Sequence, residues 1–166
     1  MTYPTDPQVA YHYNMIKGRI AETLIQEMFV SLGYEVYHYG MEHMVPGITG
    51  KLNKLSDPVS LMIRNTPDFV VKEPESGKVM MVEVKFRGSG RFSAKDLPKD
   101  FAYPGTWFII VSRKDIKCLQ YNDILTGTSI EPNGKHRLAD CPEFNLDKER
   151  VKQFTEFAVK FFTDVA

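Results

Sequence analysis

The stretch from Pro67 to Arg87 constrains this chain more than any other, because two strand-like segments flank the turn-forming tetrapeptide Pro74-Glu75-Ser76-Gly77. Pro67 to Lys72 and Val79 to Arg87 read as the arms of one antiparallel hairpin. A symmetric hairpin centred on that turn sets Asp68 opposite Glu83. Along the second arm, the two-residue period of a strand sends Met80, Val82, Val84 and Phe86 to one face and Met81, Glu83, Lys85 and Arg87 to the other. The apolar set is the expected core face, and the charged set faces a cleft. Directly opposed residues have Cβ atoms roughly 4.5 to 5.5 Å apart, where like charges destabilise a sheet. A cation removes that conflict. Carboxylate oxygens suit a hard ion such as Mg²⁺, which takes one or two protein carboxylates and leaves its other positions to water or phosphate oxygens. Lys85 then stands where it can orient or deprotonate a water, or stabilise developing negative charge. A solvated strand face, with Asp68 paired to a lysine, is the competing explanation of the same residues.

Upstream, Lys17-Gly18-Arg19-Ile20-Ala21-Glu22 opens a helical pattern expected to run from about Asn14 to Leu32 and to stop at Gly33. Ile16, Ile20, Leu24 and Met28, joined by Ala21, Ile25 and Leu32, form its apolar face, with Glu22 on the border beside Gly18 and Gln26. Glycine costs a helix about 1 kcal/mol. One turn before Glu22, it removes a side chain beside the carboxylate and admits a ligand or backbone. The first dozen residues read as an extended lead-in, Tyr34 to Tyr39 as a strand, and Met41 to Asn65 as a long connection containing at most a short helix.

Ser93 to Asp96 has the form of a capping box, but Pro98 cuts that helix short. Thr106 to Ser112 is a continuous apolar run and so a central strand, parallel to the Glu83 strand because a crossover joins them. Ile116 to Tyr121 adds an edge strand, and Asn133-Gly134 is the expected tip of a further hairpin. A last helix spans about Leu146 to Thr163, with Val151, Phe154, Phe157, Ala158, Phe161, Phe162 and Val165 as a stripe expected to pack the core; a dimer surface is the other use of such a stripe.

The chain of 166 residues is expected to form a single domain, 1–166. Cys118 and Cys141 lack metal-ligand spacing and read as reduced thiols. With no long apolar span, the protein is expected to be soluble and intracellular, in the cytoplasm, nucleoid or nucleus, with no membrane partner. Formal net charge is zero, yet eight basic residues against three acids lie between Lys85 and Lys117. Positive charge thus gathers just after the proposed active strand.

Pro67-Asp68 followed by Glu83-Val84-Lys85 on an apolar strand, with Gly18 and Glu22 on an upstream helix, resembles the PD-(D/E)xK nuclease superfamily, nearest in motif to Holliday junction resolvase-like nucleases. The resemblance covers roughly residues 14 to 112 and departs from the pattern in the short helix after the Glu-x-Lys strand. It implies an α/β domain with a restriction-endonuclease-like core, a mixed central β-sheet flanked by helices. The implied activity is hydrolysis of phosphodiester bonds in nucleic acid with Mg²⁺ or Mn²⁺, on DNA before RNA and on branched or structured DNA in particular. Asp68, Glu83, Lys85 and Glu22 become the catalytic set. Asp68, Glu83 and the Val84 main-chain carbonyl become metal ligands, and Glu22 serves a second ion or its waters. Arg87 would hold the scissile phosphate or its neighbour, and Arg91, Lys17, Arg19 and Lys95 would contact nucleic acid. A homodimer stays open, since a junction resolvase needs two facing sites. The alternative is a catalytically inactive module of the same fold that binds nucleic acid or a protein partner.

Overall fold

Asp6 starts the first helix. Its carboxylate accepts the main-chain N–H groups of Gln8 at 2.8 Å and Val9 at 3.1 Å, and Pro7 occupies the first turn, where its missing N–H costs nothing. In this computed structural model, which describes residues 3–40, 51–52 and 54–165, helix α1 therefore spans Pro7–Ser31, two turns longer than the sequence pattern suggests. The expected lead-in is mostly helix. Gly33, at φ +83°, turns the chain out of α1 into strand β1 (Glu35–His38). Much of the long connection, 41–50 and 53, lies outside the described residues; its remainder contains the short helix α2 (Pro58–Arg64), capped by Asp57.

Strands β2 (Phe69–Lys72) and β3 (Val79–Phe86) form the expected hairpin, in the expected register: Phe69 faces Val82 and Lys72 faces Val79. Glu73 builds the turn between them. The carboxylate of this buried residue accepts the N–H groups of Glu75 at 3.2 Å and Ser76 at 2.7 Å, while Gly77, at φ +71°, donates to the Glu73 carbonyl at 3.0 Å. Strand β4 (Trp107–Val111) then runs parallel to β3, and β5 (Ile116–Gln120) pairs antiparallel with β4. The result is a mixed sheet of five strands in the order β1-β2-β3-β4-β5, followed by the short helix α3 (Tyr121–Leu125) and helix α4 (Lys148–Phe162).

Alternation along the strands gives the sheet two buried faces. Helices α1 and α4 cover one, where Ala21, Ile25, Met28 and Phe29 meet Phe69, Val71, Val82, Val84, Ile109 and Val111, with Val151, Ala158 and Phe162 from α4. On the other face Phe92, Phe101, Phe108, Ile110, Leu119, Ile124 and Ile130 form a smaller core under the loops. Strand β4 feeds both, which is why its sequence is apolar without interruption. Lys117 is 1 % exposed on the second face; its ammonium reaches the Glu131 and Asn133 carbonyls and the Asp115 carboxylate, tying down the loop before Arg137. That loop bends at Asn133-Gly134 and pairs with β5 through the isolated Lys117–Arg137 bridge, where the Cys118 N–H donates to the His136 carbonyl at 2.9 Å, so the expected hairpin there is reduced to a single bridge among the described residues.

Two helix faces differ from expectation. On α1 the buried residues are Lys17, Ala21, Leu24, Ile25, Met28 and Phe29, whereas Ile16 and Ile20 are exposed. The face is rotated because the Lys17 stem lies under aromatic rings. On α4, Val151, Ala158 and Phe162 are buried but Phe157 and Phe161 face outward, so the aromatic stripe is wider than the core it serves. Both cysteines are free thiols, and no helix among the described residues is long and apolar enough to cross a membrane.

Candidate active site

The β2–β3 ladder stops at Phe69 and Val82, and side chains take over where the main-chain bonds end. Pro67 supplies no N–H. The Asp68 N–H donates to Glu83 Oε2 at 3.2 Å, and the Val84 N–H donates to Asp68 Oδ2 at 2.8 Å. Each acid thus occupies the main-chain partner of the other's strand. The Asp68 carbonyl is fixed from the far side by the N–H of Tyr39 at 3.0 Å. This interlock holds the two carboxylates opposite each other at the point where β2 and β3 part.

Glu83 is 7 % exposed, and its other oxygen, Oε1, pairs with the Lys85 ammonium two residues along the same face. The Lys85 ammonium is pulled down by burial, but the Glu83 and Asp68 carboxylates outweigh this and raise its pKa. It stays protonated. The Asp68 carboxyl is raised as well, which favours its neutral form: burial, then the neighbouring charges of Glu83 and Glu22, lift it well above the usual carboxylate range against the pull of Lys85. Burial and the neighbouring carboxylates thus both work against ionisation of Asp68. Glu22 takes part from α1, across the sheet, and it lines the adjoining cleft.

That cleft, roughly 630 Å³, opens between the N-terminal half of α1 and the end of β3; Glu22, Lys17, Lys85, Arg87 and Arg113 line it, with the main chain of Gly88 and Ser89. Lys17 is only 8 % exposed, with its ammonium over the rings of Tyr13 at 4.5 Å and of Tyr3 and Phe86 at 5.6 Å. Burial, then the Arg113 charge, lower its pKa. Arg87 folds back so that Nη1 donates to the Phe86 carbonyl at 3.0 Å and the guanidinium sits 5.4 Å from the Phe92 ring centre. A Cβ at Gly18 would meet no atom of the described residues within 4 Å beyond its own helix, so no such contact requires glycine there; its place on the cleft wall keeps that wall low.

Of the residues singled out from sequence, the structure brings together Asp68, Glu83, Val84 and Lys85, with Glu22, Lys17 and Arg87 beside them. Arg91, Arg19 and Lys95 stand apart from the cleft: Arg91 is exposed and pairs with Glu131 at 3.4 Å, and Arg19 and Lys95 are exposed. For Arg91 and Lys95 the reason is strand–loop geometry, because the chain past Gly90 turns away to bridge Ile130 through Phe92, whereas Arg19 lies on the exposed side of α1. Arg113 was not singled out, although it lines the cleft two residues beyond the end of β4.

The donor set suits a hard divalent cation in one respect and falls short in another. Two opposed carboxylates whose proximity disfavours ionisation of Asp68 are what such an ion would relieve. Among the described residues, however, no three His, Cys, Asp or Glu side chains converge as a ready cage. An ion here would take Asp68 and Glu83 and complete its shell with water and phosphate oxygens. A larger cavity, roughly 730 Å³ and lined by Lys114, Arg137, Lys148 and Lys152, lies against the first half of α4 and holds none of these acids.

Among solved structures, the chain is similar to Hjc, a Holliday junction resolvase from the archaeal hyperthermophile Archaeoglobus fulgidus, at 15 % identity and a TM-score of 0.39, over 82 % of this chain and 98 % of that one. No family model matches the chain, and no curated protein matches it.

Proposed function

We propose that this protein is a metal-dependent endonuclease that hydrolyses phosphodiester bonds in nucleic acid. The observation that carries the reading is the Asp68–Glu83 interlock, two carboxylates held face to face with Lys85 on one of them and a basic cleft alongside. Asp68 and Glu83, with the Val84 carbonyl, would hold Mg²⁺ or Mn²⁺, and Glu22 would serve a second ion or its waters. When bound, the ion would supply charge stabilisation on the phosphoryl oxygens and a more acidic water. Lys85, held on Glu83 and protonated, donates hydrogen bonds to the attacking water or to the phosphate as negative charge builds. Arg87 lines the cleft and would steady the phosphate. We assign DNA as the substrate class, branched or structured DNA in particular, on the motif formed by Gly18 and Glu22 with the strand acids.

A binding module without turnover has two observations in its favour: both Glu83 oxygens already have protein partners, and among the described residues no three-acid cage is assembled. Incubation with labelled four-way junctions, flaps, duplex, single strands and RNA, in Mg²⁺ or Mn²⁺, separates the two. The nuclease reading expects cleavage by wild type that Glu83→Ala and Lys85→Ala abolish. Binding without cleavage on every substrate supports the module, and cleavage surviving in both variants refutes the assigned site.

A further inference from the structure

Strands β3 and β4 are parallel neighbours, so their carboxyl ends open at the same edge of the sheet, the position where α/β sheets bind ligands. Arg87 follows the last residue of β3, and Arg113 lies two residues past the last of β4. The loops are bonded together: the Arg87 N–H donates to the Val111 carbonyl at 2.9 Å. Arg113 itself sits on a turn fixed by Ser112, whose hydroxyl accepts the Lys114 and Asp115 N–H groups at 3.1 and 3.0 Å and donates to the Asp115 carboxylate at 2.8 Å. The other claim on Asp115 is Lys117, at 3.4 Å. The nearest acid in sequence is thus turned to neighbours other than Arg113.

The Arg113 guanidinium lies on Gly88. A Cβ there would stand 3.1 Å from Nη2, 3.2 Å from Nε and 3.4 Å from Cζ, so the bare main chain is what lets the planar group settle. Its Nε is shut off from solvent and donates to no acceptor among the described residues. A buried charged donor without an acceptor is a poor end state for a fold and a good start for a ligand. Across the cleft, the Lys17 ammonium is fixed by three rings. Two held cations then face one space beside Gly88 and Ser89, and Glu22 is the single carboxylate among the described residues that lines it.

We infer that Arg113, with Lys17 and the Gly88-Ser89 main chain, forms a second phosphate subsite that holds a phosphate of the nucleic-acid strand other than the one that reacts. The inference rests on the nucleic-acid reading of the cleft, and adds to it a residue that sets the strand's position.

The test measures binding in chelator, where cleavage plays no part. Fluorescence anisotropy with a labelled four-way junction and a labelled duplex, over a salt series, compares wild type with Arg113→Gln, Arg113→Lys and Gly88→Ala. Arg113→Gln should weaken binding about tenfold and reduce the slope of log K against log salt by about one, the change expected for one lost phosphate contact. Arg113→Lys should keep most of the slope but not the affinity, since lysine cannot make the planar contact. Gly88→Ala leaves every charge in place and should mimic Arg113→Gln, because the added Cβ displaces the guanidinium. In wild type itself, the Arg113 Nε–Hε NMR signal should shift on adding the duplex.

Unchanged affinity and slope in Arg113→Gln overturn the inference. So does an Arg113 signal that inorganic phosphate moves and the duplex does not, which would make a free anion the ligand. Loss of slope together with no cleavage under any metal condition keeps the subsite and refutes the nuclease; cleavage with an unaltered slope does the reverse.

Discussion

Asparagine and alanine at position 68 separate the two tasks of its carboxylate. One oxygen accepts the Val84 N–H at 2.8 Å, and Val84 is buried. Alanine leaves that donor unsatisfied, a loss of about 1–3 kcal/mol. Asparagine keeps an oxygen acceptor of similar reach and removes only the charge. That charge opposes folding, because burial and the charges of Glu83 and Glu22 raise the Asp68 carboxyl well above its usual range. The folded state holds the proton more tightly than the unfolded chain, so the native state loses stability as pH climbs from the ordinary aspartate value, about 3.9, through the raised folded value. At pH 7 in chelator, Asp68→Asn should melt at or above wild type. Asp68→Ala should melt below Asp68→Asn by roughly 2–4 °C for each kcal/mol lost, the scale for a domain of this size.

Mn²⁺ then reverses the order. An ion at a hundred times its Kd stabilises the state that binds it by about 2.7 kcal/mol, which is roughly 5–11 °C on the same scale. Wild type should gain this, and neither variant should. Melts followed by circular dichroism in chelator and across a Mn²⁺ titration supply both measurements. Asp68→Asn melting well below wild type in chelator would mean that the ionised carboxylate is a structural asset, and a wild-type Tm that stays flat through the titration would remove the metal from the site. Either result refutes the reasoning.

Lys85→Gln should lower single-turnover cleavage by about 10²–10⁴-fold while nucleic-acid binding in chelator changes little, since a positioned proton donor acts on the chemical step; equal losses in both assays would make Lys85 a binding residue. Phe162 is fully buried and stacks on Phe86 at 4.3 Å, so Phe162→Ala should cost about 3–5 kcal/mol in urea unfolding, and a loss under 1 kcal/mol would contradict the packing. Tyr34, whose hydroxyl donates to the Phe144 carbonyl, is pushed up to about 12 by burial and by the Glu73 charge. Its native state keeps the phenol proton, so stability should fall as pH rises from about 10, the ordinary tyrosine value, through the folded value. Tyr34→Phe should lack that alkaline loss in pH-dependent melts; an identical alkaline limb in both proteins would exclude Tyr34 as its source.

The hairpin was legible because its two arms and turn are local. Pro74 to Gly77 set the register, the register set Asp68 against Glu83, and alternation placed Lys85 beside Glu83. Strand β4 was legible for a different reason: a strand buried on both faces has no polar residue to confuse its reading. The start of α1 was missed although Asp6-Pro7 is a capping pair, because Tyr, His and Gln follow it without a clean apolar period. The rotated face of that helix had little local signal beyond Tyr13, one turn before Lys17. Lys17 is buried by Tyr3, Tyr13 and Phe86, and Phe86 is distant in sequence, so periodicity favours Ile16 over the residue that the fold encloses.

The basic cleft shows where charge counting stops and topology begins. Counting bases after Glu83 gives Arg91 and Lys95 the same weight as Arg87 and Arg113, since all four lie in one stretch of excess positive charge. What divides them is the parallel pairing of β3 with β4, which brings two carboxyl ends to one edge. Arg87 and Arg113 stand directly at those ends. Arg91 lies past the Gly90 turn, at φ +69°, and is drawn to Glu131 instead. The parallel pairing was itself inferable from the crossover between the two apolar strands. Applied one step further, with ligands expected at the carboxyl ends of parallel strands, the same inference selects Arg113 from sequence and passes over Arg91, a choice that total charge has no means of making.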